Sequence, residues 1–142
     1  MDSNKLENKC VIVVDGNLPL GLIANTSAVL AMTLGKRIEG IIGSDIADSS
    51  GNCHIGITNT PIPILKSTKD VIKDIRNKIA EEKIADLLVV DFSYVAQKSK
   101  TYADYEKKLS AASSDDLEYL GIALYGNKKD VNRFTGNMPL LK

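Results

Sequence analysis

The 142-residue sequence has no excess of charge of either sign: eighteen Lys and Arg stand against eighteen Asp and Glu. The chain as a whole therefore lacks the electrostatic footprint of a nucleic-acid binder. Any phosphate contact has to come from a local patch, and Lys128, Lys129 and Arg133 form the one that stands out. No apolar stretch approaches the roughly 20 residues a membrane span needs, and the opening MDSNKLENK is too polar for a secretory leader. These absences point to a cytoplasmic chain that does not engage a membrane. Cysteine is scarce, with only Cys10 and Cys53. Neither belongs to a CxxC pair or a ligand cluster, so they read as two buried small hydrophobes rather than as a disulfide or metal site. His54 is the only histidine, and any Ser-His or Cys-His couple must use it. GxSxG, HExxH, a Walker-type lysine loop and GxGxxG are all missing, and no metal or cofactor is expected.

What is present suits one soluble α/β domain over residues 1–142, long enough to bury a core without staples. KCVIVVD (Lys9 to Asp15), a run of β-branched residues, and the short apolar runs ADLLVVDF (Ala85 to Phe92) and LGIALYG (Leu120 to Gly126) have the pattern of strands buried on both faces. Asn17 to Gly35 contains no charged side chain and reads as a helix covered on most sides. It is opened by Pro19 and stopped by Gly35 with Lys36 and Arg37. RIEGIIGSDIAD and CHIGIT, joined by SSGN, predict a hairpin over about residues 38–58. Pro61 and Pro63 confine PIPILK to an edge. Ser67 with Asp70 predicts the cap of an amphipathic helix, and Thr101 with Asp104 predicts another. Asn127 is placed to cap the short helix KKDVNRFT, ended by Gly136 before an extended tail. Helices alternating with apolar strands predict a mixed sheet flanked by helices.

In open α/β sheets, ligands gather outside the carboxyl ends of strands. Asp15 and Asp91 end or interrupt apolar strands and are candidates for such a crevice, as are Asn17 beside the first strand and Thr135, Gly136 and Asn137 at a helix end. Each also has a plain structural role open to it as a turn, loop or cap residue. His54, alternating with Ile55 and Ile57, reads first as a sheet-surface residue, and Asp45 and Asp48 as turn residues.

In their order along the chain, LPLGLIANTSA, Asp91, LGIALYG and RFTGNMPLL resemble the type 2 peptidyl-tRNA hydrolases. These show a Gly-Lys-(Ile/Val)-Ala-Ala-Gln helix start, an aspartate after a buried strand and a VTGHLKLL-like tail. Over its whole length, the chain is similar to the uncharacterised domain-of-unknown-function-two-thousand family. The marks are LPLGLIANTSAVLAMTLG, HIGITNTPIPIL and LGIALYGNKKDVNRFTGNMPLL. The resemblance implies a peptidyl-tRNA hydrolase 2-like α/β fold with an added β-hairpin, and Asn17, Asn25, Thr26, Asp91 and Thr135 around one pocket. It also shows a departure, because the hydrolase lysine falls on Leu22 and the glutamine near Thr26. Leucine neither positions water nor stabilises an oxyanion.

The expectation is thus a domain that binds a small or nucleotide-like ligand through Asp15, Asn17, Asn25, Thr26, Asp91, Thr135 and Asn137, without hydrolysing peptidyl-tRNA. The alternatives are an ester hydrolase built on His54 and Asp91, or a protein-interaction module. Leu22, Val29 and Met32, on a helix whose other stripe already packs on the sheet, predict a homodimer.

Overall fold

The computed structural model describes residues 7–142; Met1–Leu6, most of the polar opening stretch, lies outside the described residues. Strand β1 (Asn8–Asp15) is followed by helix α1 (Leu20–Arg37), the two-residue strands β2 (Ile46–Ala47) and β3 (Cys53–His54), and β4 (Ile64–Ser67). Then come α2 (Lys69–Glu82), β5 (Leu88–Ser93), α3 (Tyr94–Lys98), α4 (Tyr102–Ala111), a 3-10 turn at Ser114–Asp116, β6 (Tyr119–Asn127) and α5 (Lys128–Thr135).

The β-branched runs make a four-stranded mixed sheet of order β4-β1-β6-β5, in which β1 runs parallel to β4 and β6 antiparallel to both β1 and β5. Alternation along β1 sends Val11 and Val13 to one face and Cys10, Ile12 and Val14 to the other. On the first face α2 buries Ile72, Ile75 and Ile79, one turn apart, and α5 adds Val131. Each such aliphatic side chain contributes about 1.5 to 3 kcal/mol on burial. On the opposite face α1 buries Ile23, Thr26, Leu30 and Leu34. It comes close because β6 carries Gly121 beneath it: a Cβ there would lie 2.6 Å from Thr26 Cγ2 and 3.0 Å from the Val13 carbonyl oxygen.

Most local expectations are realised. Thr101 caps α4 by accepting from the Asp104 amide, and Asn127 caps α5 by accepting from the Lys129 amide. Pro63 precedes an edge strand, and the tail runs beside it, with Lys66 N–H donating to the Pro139 carbonyl and Leu141 N–H to that of Ile64. Four expectations need correction. Helix α1 is not stopped by Gly35 but runs on to Arg37, with Ile38 as its C-cap. The α2 cap is Thr68, which accepts from the Val71 amide, one residue beyond Ser67. The stretch Ala85–Phe92 is not a strand buried on both faces: β5 starts at Leu88 and lies at the sheet edge with Leu88–Asp91 half-buried. Cys53 is exposed, unlike Cys10.

The hairpin at 38–58 exists as an arm outside the main sheet. Its regular pairing is limited to Ile46–His54 and Ala47–Cys53, with one further bridge from Ile42 to Thr58. Asp48 holds its turn by accepting from the Ser50 and Asn52 amides. Ile55 and Ile57 stay 77 % and 78 % exposed.

Candidate functional site

Asp91 interrupts an otherwise apolar strand, and a carboxylate there requires a partner. Its register partner is Ile122, whose side chain packs on the α2 face. On that face Arg76, one residue after the buried Ile75, donates from Nε to Asp91 Oδ2 at 3.0 Å. Both side chains are partly shielded, with 25 % and 35 % of their surface exposed for Asp91 and Arg76. The bond uses one carboxylate oxygen and one guanidinium nitrogen, leaving Oδ1 and both Nη groups with hydrogen-bonding capacity.

Two tyrosines complete the cluster. Tyr119 sits at the start of β6, and Tyr105 projects from α4. Burial pushes the Tyr119 phenol above its usual range, and the Asp91 charge adds to this while Arg76 opposes it. Tyr105 is raised in the same way by burial, then by Asp91 and Tyr102. Both phenols are thus held neutral, as hydrogen-bonding groups, well past neutral pH.

The cluster lies at the meeting of two hollows. The larger, about 460 Å³, is walled by Val29 and Thr33 of α1, Val90 to Phe92 of β5, and Ala96 and Ser99 to Tyr102 with Tyr105. The second, about 370 Å³, lies on the α2 side between Arg76, Asn77, Ala80 and Glu81, Tyr119 and Leu117, and Leu109, Ser114 and Asp115. Asp91 borders both. The first half of α4 lines one hollow and its end lines the other, so α4 crosses the open edge of β5 at Asp91. It buries none of its own residues in doing so.

The other sequence candidates fall elsewhere. Asp15 is buried at the end of β1, its Oδ1 accepting from the Asn17 amide at 3.0 Å, and Asn17 is exposed beside it. Two strand spacings, about 10 Å, separate β1 from β5. Asn25 and Thr26 ride on α1, across the sheet from the Asp91 carboxylate. Asn25 is exposed, whereas Thr26 is wholly buried with its Oγ1 unpartnered. Thr135 is buried, and its hydroxyl is spent on the Val131 carbonyl one turn back. It ends α5, which packs on β1 and β6, and exposed Asn137 leads from it into the tail that runs along β4, the edge away from β5. The structure does not gather these residues into one crevice with Asp91.

His54 is also apart. Its Nε2 lies 2.8 Å from Asp48 Oδ2 in the arm, and this contact with the Asn52 amide holds the Asp48 carboxyl below its usual range. It lines a hollow of about 460 Å³ formed by the arm alone, from Gly43 to Asn59. Arg133 is occupied by Glu82, and Lys128 and Lys129 share a small hollow with Glu7. Among the described residues no group of three or more His, Cys, Asp or Glu is placed to hold a metal ion. No helix among them is long and apolar enough to cross a membrane.

Arg76, Tyr105 and Tyr119 were absent from the sequence candidates. One signal was available, because an aspartate inside an apolar strand calls for a cation on the covering helix, and Arg76 flanks the buried stripe of α2.

The fold has solved relatives. Residues 8–142 match the model of a family described as protein of unknown function, DUF2000. The chain is similar to a solved protein of unknown function, Atu0240 from Agrobacterium tumefaciens strain C58, with a TM-score of 0.83 at 20 % identity over 94 % of this chain and 96 % of that one. No curated protein matches.

Proposed function

The chain belongs to the DUF2000 family, which brings no activity with it, and we propose from the site that it binds a small or nucleotide-like ligand around Asp91 without hydrolysing peptidyl-tRNA. The observation that supports this reading is the pair of hollows meeting at a half-buried Asp91–Arg76 pair with unspent hydrogen-bonding groups. Ligand sites combine apolar walls with a few convergent polar groups. The α1-side hollow has Val29, Val90, Phe92 and Ala96 as walls and Tyr102, Tyr105 and Lys100 as a stacking surface and a cation. That combination suits a flat ring carrying an anionic group.

Within the peptidyl-tRNA hydrolase 2-like fold implied by the sequence, Leu22 at the lysine position leaves no cation at the start of α1 to activate an ester; its only cations, Lys36 and Arg37, stand in the last turn. His54, paired with Asp48 in the arm, is not in position to replace it.

The test is a thermal-shift screen of nucleotides and metabolites on the native protein and on Asp91→Asn and Tyr105→Ala. A ligand at 100 times its dissociation constant adds about 2.7 kcal/mol of stability. A hit lost in both variants supports the reading, and a hit indifferent to both refutes it.

A second reading, a homodimer acting as an interaction module, is favoured by α1 itself: of the residues expected to form its patch, Met32 is 82 % and Val29 36 % exposed, Leu20 adds to them at 81 %, and only Leu22 packs against the core instead. Sedimentation of a single monomeric species at tens of micromolar, a rough range for an isologous patch of standard size, would refute it.

A further inference from the structure

We propose that the α2-side hollow takes the ammonium end of an alkylamine. This rests on the reading of Asp91 as the centre of a ligand site and names what enters from one side.

Charge is the first argument. The lining carries three carboxylates, Glu81, Asp91 and Asp115, against the single guanidinium of Arg76. Arg76 and Asp91 are hydrogen-bonded to each other, so their charges largely cancel and Glu81 and Asp115 leave a net negative rim. Lys73 donates to the Asp115 backbone carbonyl rather than to its carboxylate, so one ammonium stands beside the two rim carboxylates and the rim keeps a net negative charge. An anion would meet two unpaired carboxylates here. A cation finds both attractive.

The second argument is independent of net charge. Tyr119 is only 4 % exposed and borders this hollow, and its hydroxyl makes no hydrogen bond to another described residue. Among the described residues the hydroxyl is not one of the buried groups left without a partner, which are Thr26 Oγ1 and Ser93 Oγ, so the little surface Tyr119 keeps includes its oxygen, and burial of the ring with the Asp91 charge keeps the phenol protonated. Its oxygen is an acceptor open to a donor on a ligand. Beside it Asp91 Oδ1 is a second acceptor. An ammonium has three donors and no acceptor, so it satisfies both oxygens and reaches a rim carboxylate with the third.

Shape is the third. Ala80, Leu109 and Leu117 give the hollow apolar walls, against which a methylene chain packs while its charged end reaches the oxygens, as a lysine stem does at a protein surface. The same chemistry is offered by a free alkylamine or by a lysine side chain of a peptide.

The experiment is calorimetric titration of the full chain with cadaverine, with the peptide Gly-Gly-Lys-Gly-Gly, and with 1-pentanol as the uncharged control. Cadaverine is expected to bind and pentanol to give no heat. Binding by cadaverine alone marks a free amine as the source, and tighter binding by the peptide marks a lysine-bearing partner. Glu81→Gln with Asp115→Asn, both at exposed positions, is expected to weaken binding about tenfold, as loss of charge-assisted contacts requires. Tyr119→Phe keeps the ring and is expected to weaken it less. Equal binding of pentanol, or cadaverine affinity unchanged in the double variant and in Tyr119→Phe, would overturn the inference. If nucleotides stabilise the protein through Asp91 while neither amine binds, this inference fails and the ligand-binding reading stands. If nothing binds at Asp91, both fail.

Discussion

Thr26→Val is expected to make the protein more stable. Thr26 is fully buried under α1, and its Oγ1 has no hydrogen-bond partner among the described residues. Its Cγ2 packs in the space left by Gly121. Leaving a hydroxyl buried and unpaired costs about 1 to 3 kcal/mol. Valine has the same shape and nearly the same helix propensity, so it keeps the Gly121 contact and removes the cost. A net gain of about 1 to 2 kcal/mol follows. For a chain of this size, with an unfolding entropy of about 2.1 cal/mol/K per residue, that raises Tm by roughly 3 to 7 °C. Calorimetry measures the shift, and urea unfolding should show a higher midpoint at unchanged slope. Thr26→Ser serves as the opposite control, since it keeps the hydroxyl and loses the packed methyl. The reasoning is refuted if the valine variant is the less stable one, because the hydroxyl would then be making a bond that stabilises the fold. The variant also bears on function: the hydrolase glutamine falls near this position. Ligand binding unchanged in a stabilised Thr26→Val would assign the residue to the core alone.

Gly121→Ala should destabilise by about 1 to 3 kcal/mol, the usual cost of overpacking, since a Cβ there would lie 3.0 Å from the Val13 carbonyl oxygen as well as against Thr26; equal urea midpoints would contradict the close approach of α1. Burial pushes the Cys10 thiol from 9.0 up to about 11, so above pH 9 the unfolded chain loses a proton that the folded one keeps. Stability then falls between about pH 9 and 11 by an order of 2 kcal/mol, and Cys10→Val should flatten that decline in urea titrations run across the range. Native protein should also react with one equivalent of a thiol reagent at pH 8, through exposed Cys53, and with two once unfolded. Peptidyl-tRNA deacylation should be undetectable for the native chain and for Leu22→Lys; turnover by the native chain that is abolished by Asp91→Asn would overturn the binding reading.

Periodicity exposed the parts of this fold whose causes are local. VIVV reads as a strand because β-branched runs have few other uses, LGIAL because it is a short apolar run, and the Thr101 and Asn127 caps followed from side chains two or three residues from the amides they bind. The ordering of strands is not local. LLVV looks like an interior strand, and nothing within it says that β5 forms the edge, because the cover on its apolar face comes from α1, which approaches from elsewhere in the chain. The arm shows the same limit. Alternating isoleucines predict strands, but with Gly43 and Gly56 crossing so closely that a Cβ on Gly56 would lie 1.8 Å from the Gly43 carbonyl oxygen, pairing condenses to two short rungs and the isoleucines stay outside.

Site legibility failed for a related reason. Thr135 and Asp15 were attractive because polar residues at element ends can face a ligand, but such ends first need their own amides and carbonyls satisfied. Asp15 holds the Asn17 amide, and Thr135 bonds back to Val131. What distinguishes Asp91 is that it stands inside a strand, where the backbone makes no use of its carboxylate. Its partner had to come from a different element, fifteen residues earlier. Arg76 was legible only as one charge among several on the polar side of α2, until its helix was set against the strand. A polar side chain without a local duty, placed where an apolar one would serve the fold better, is therefore the stronger sequence signal. Here it singles out Asp91 and, by the helix that must cover it, Arg76.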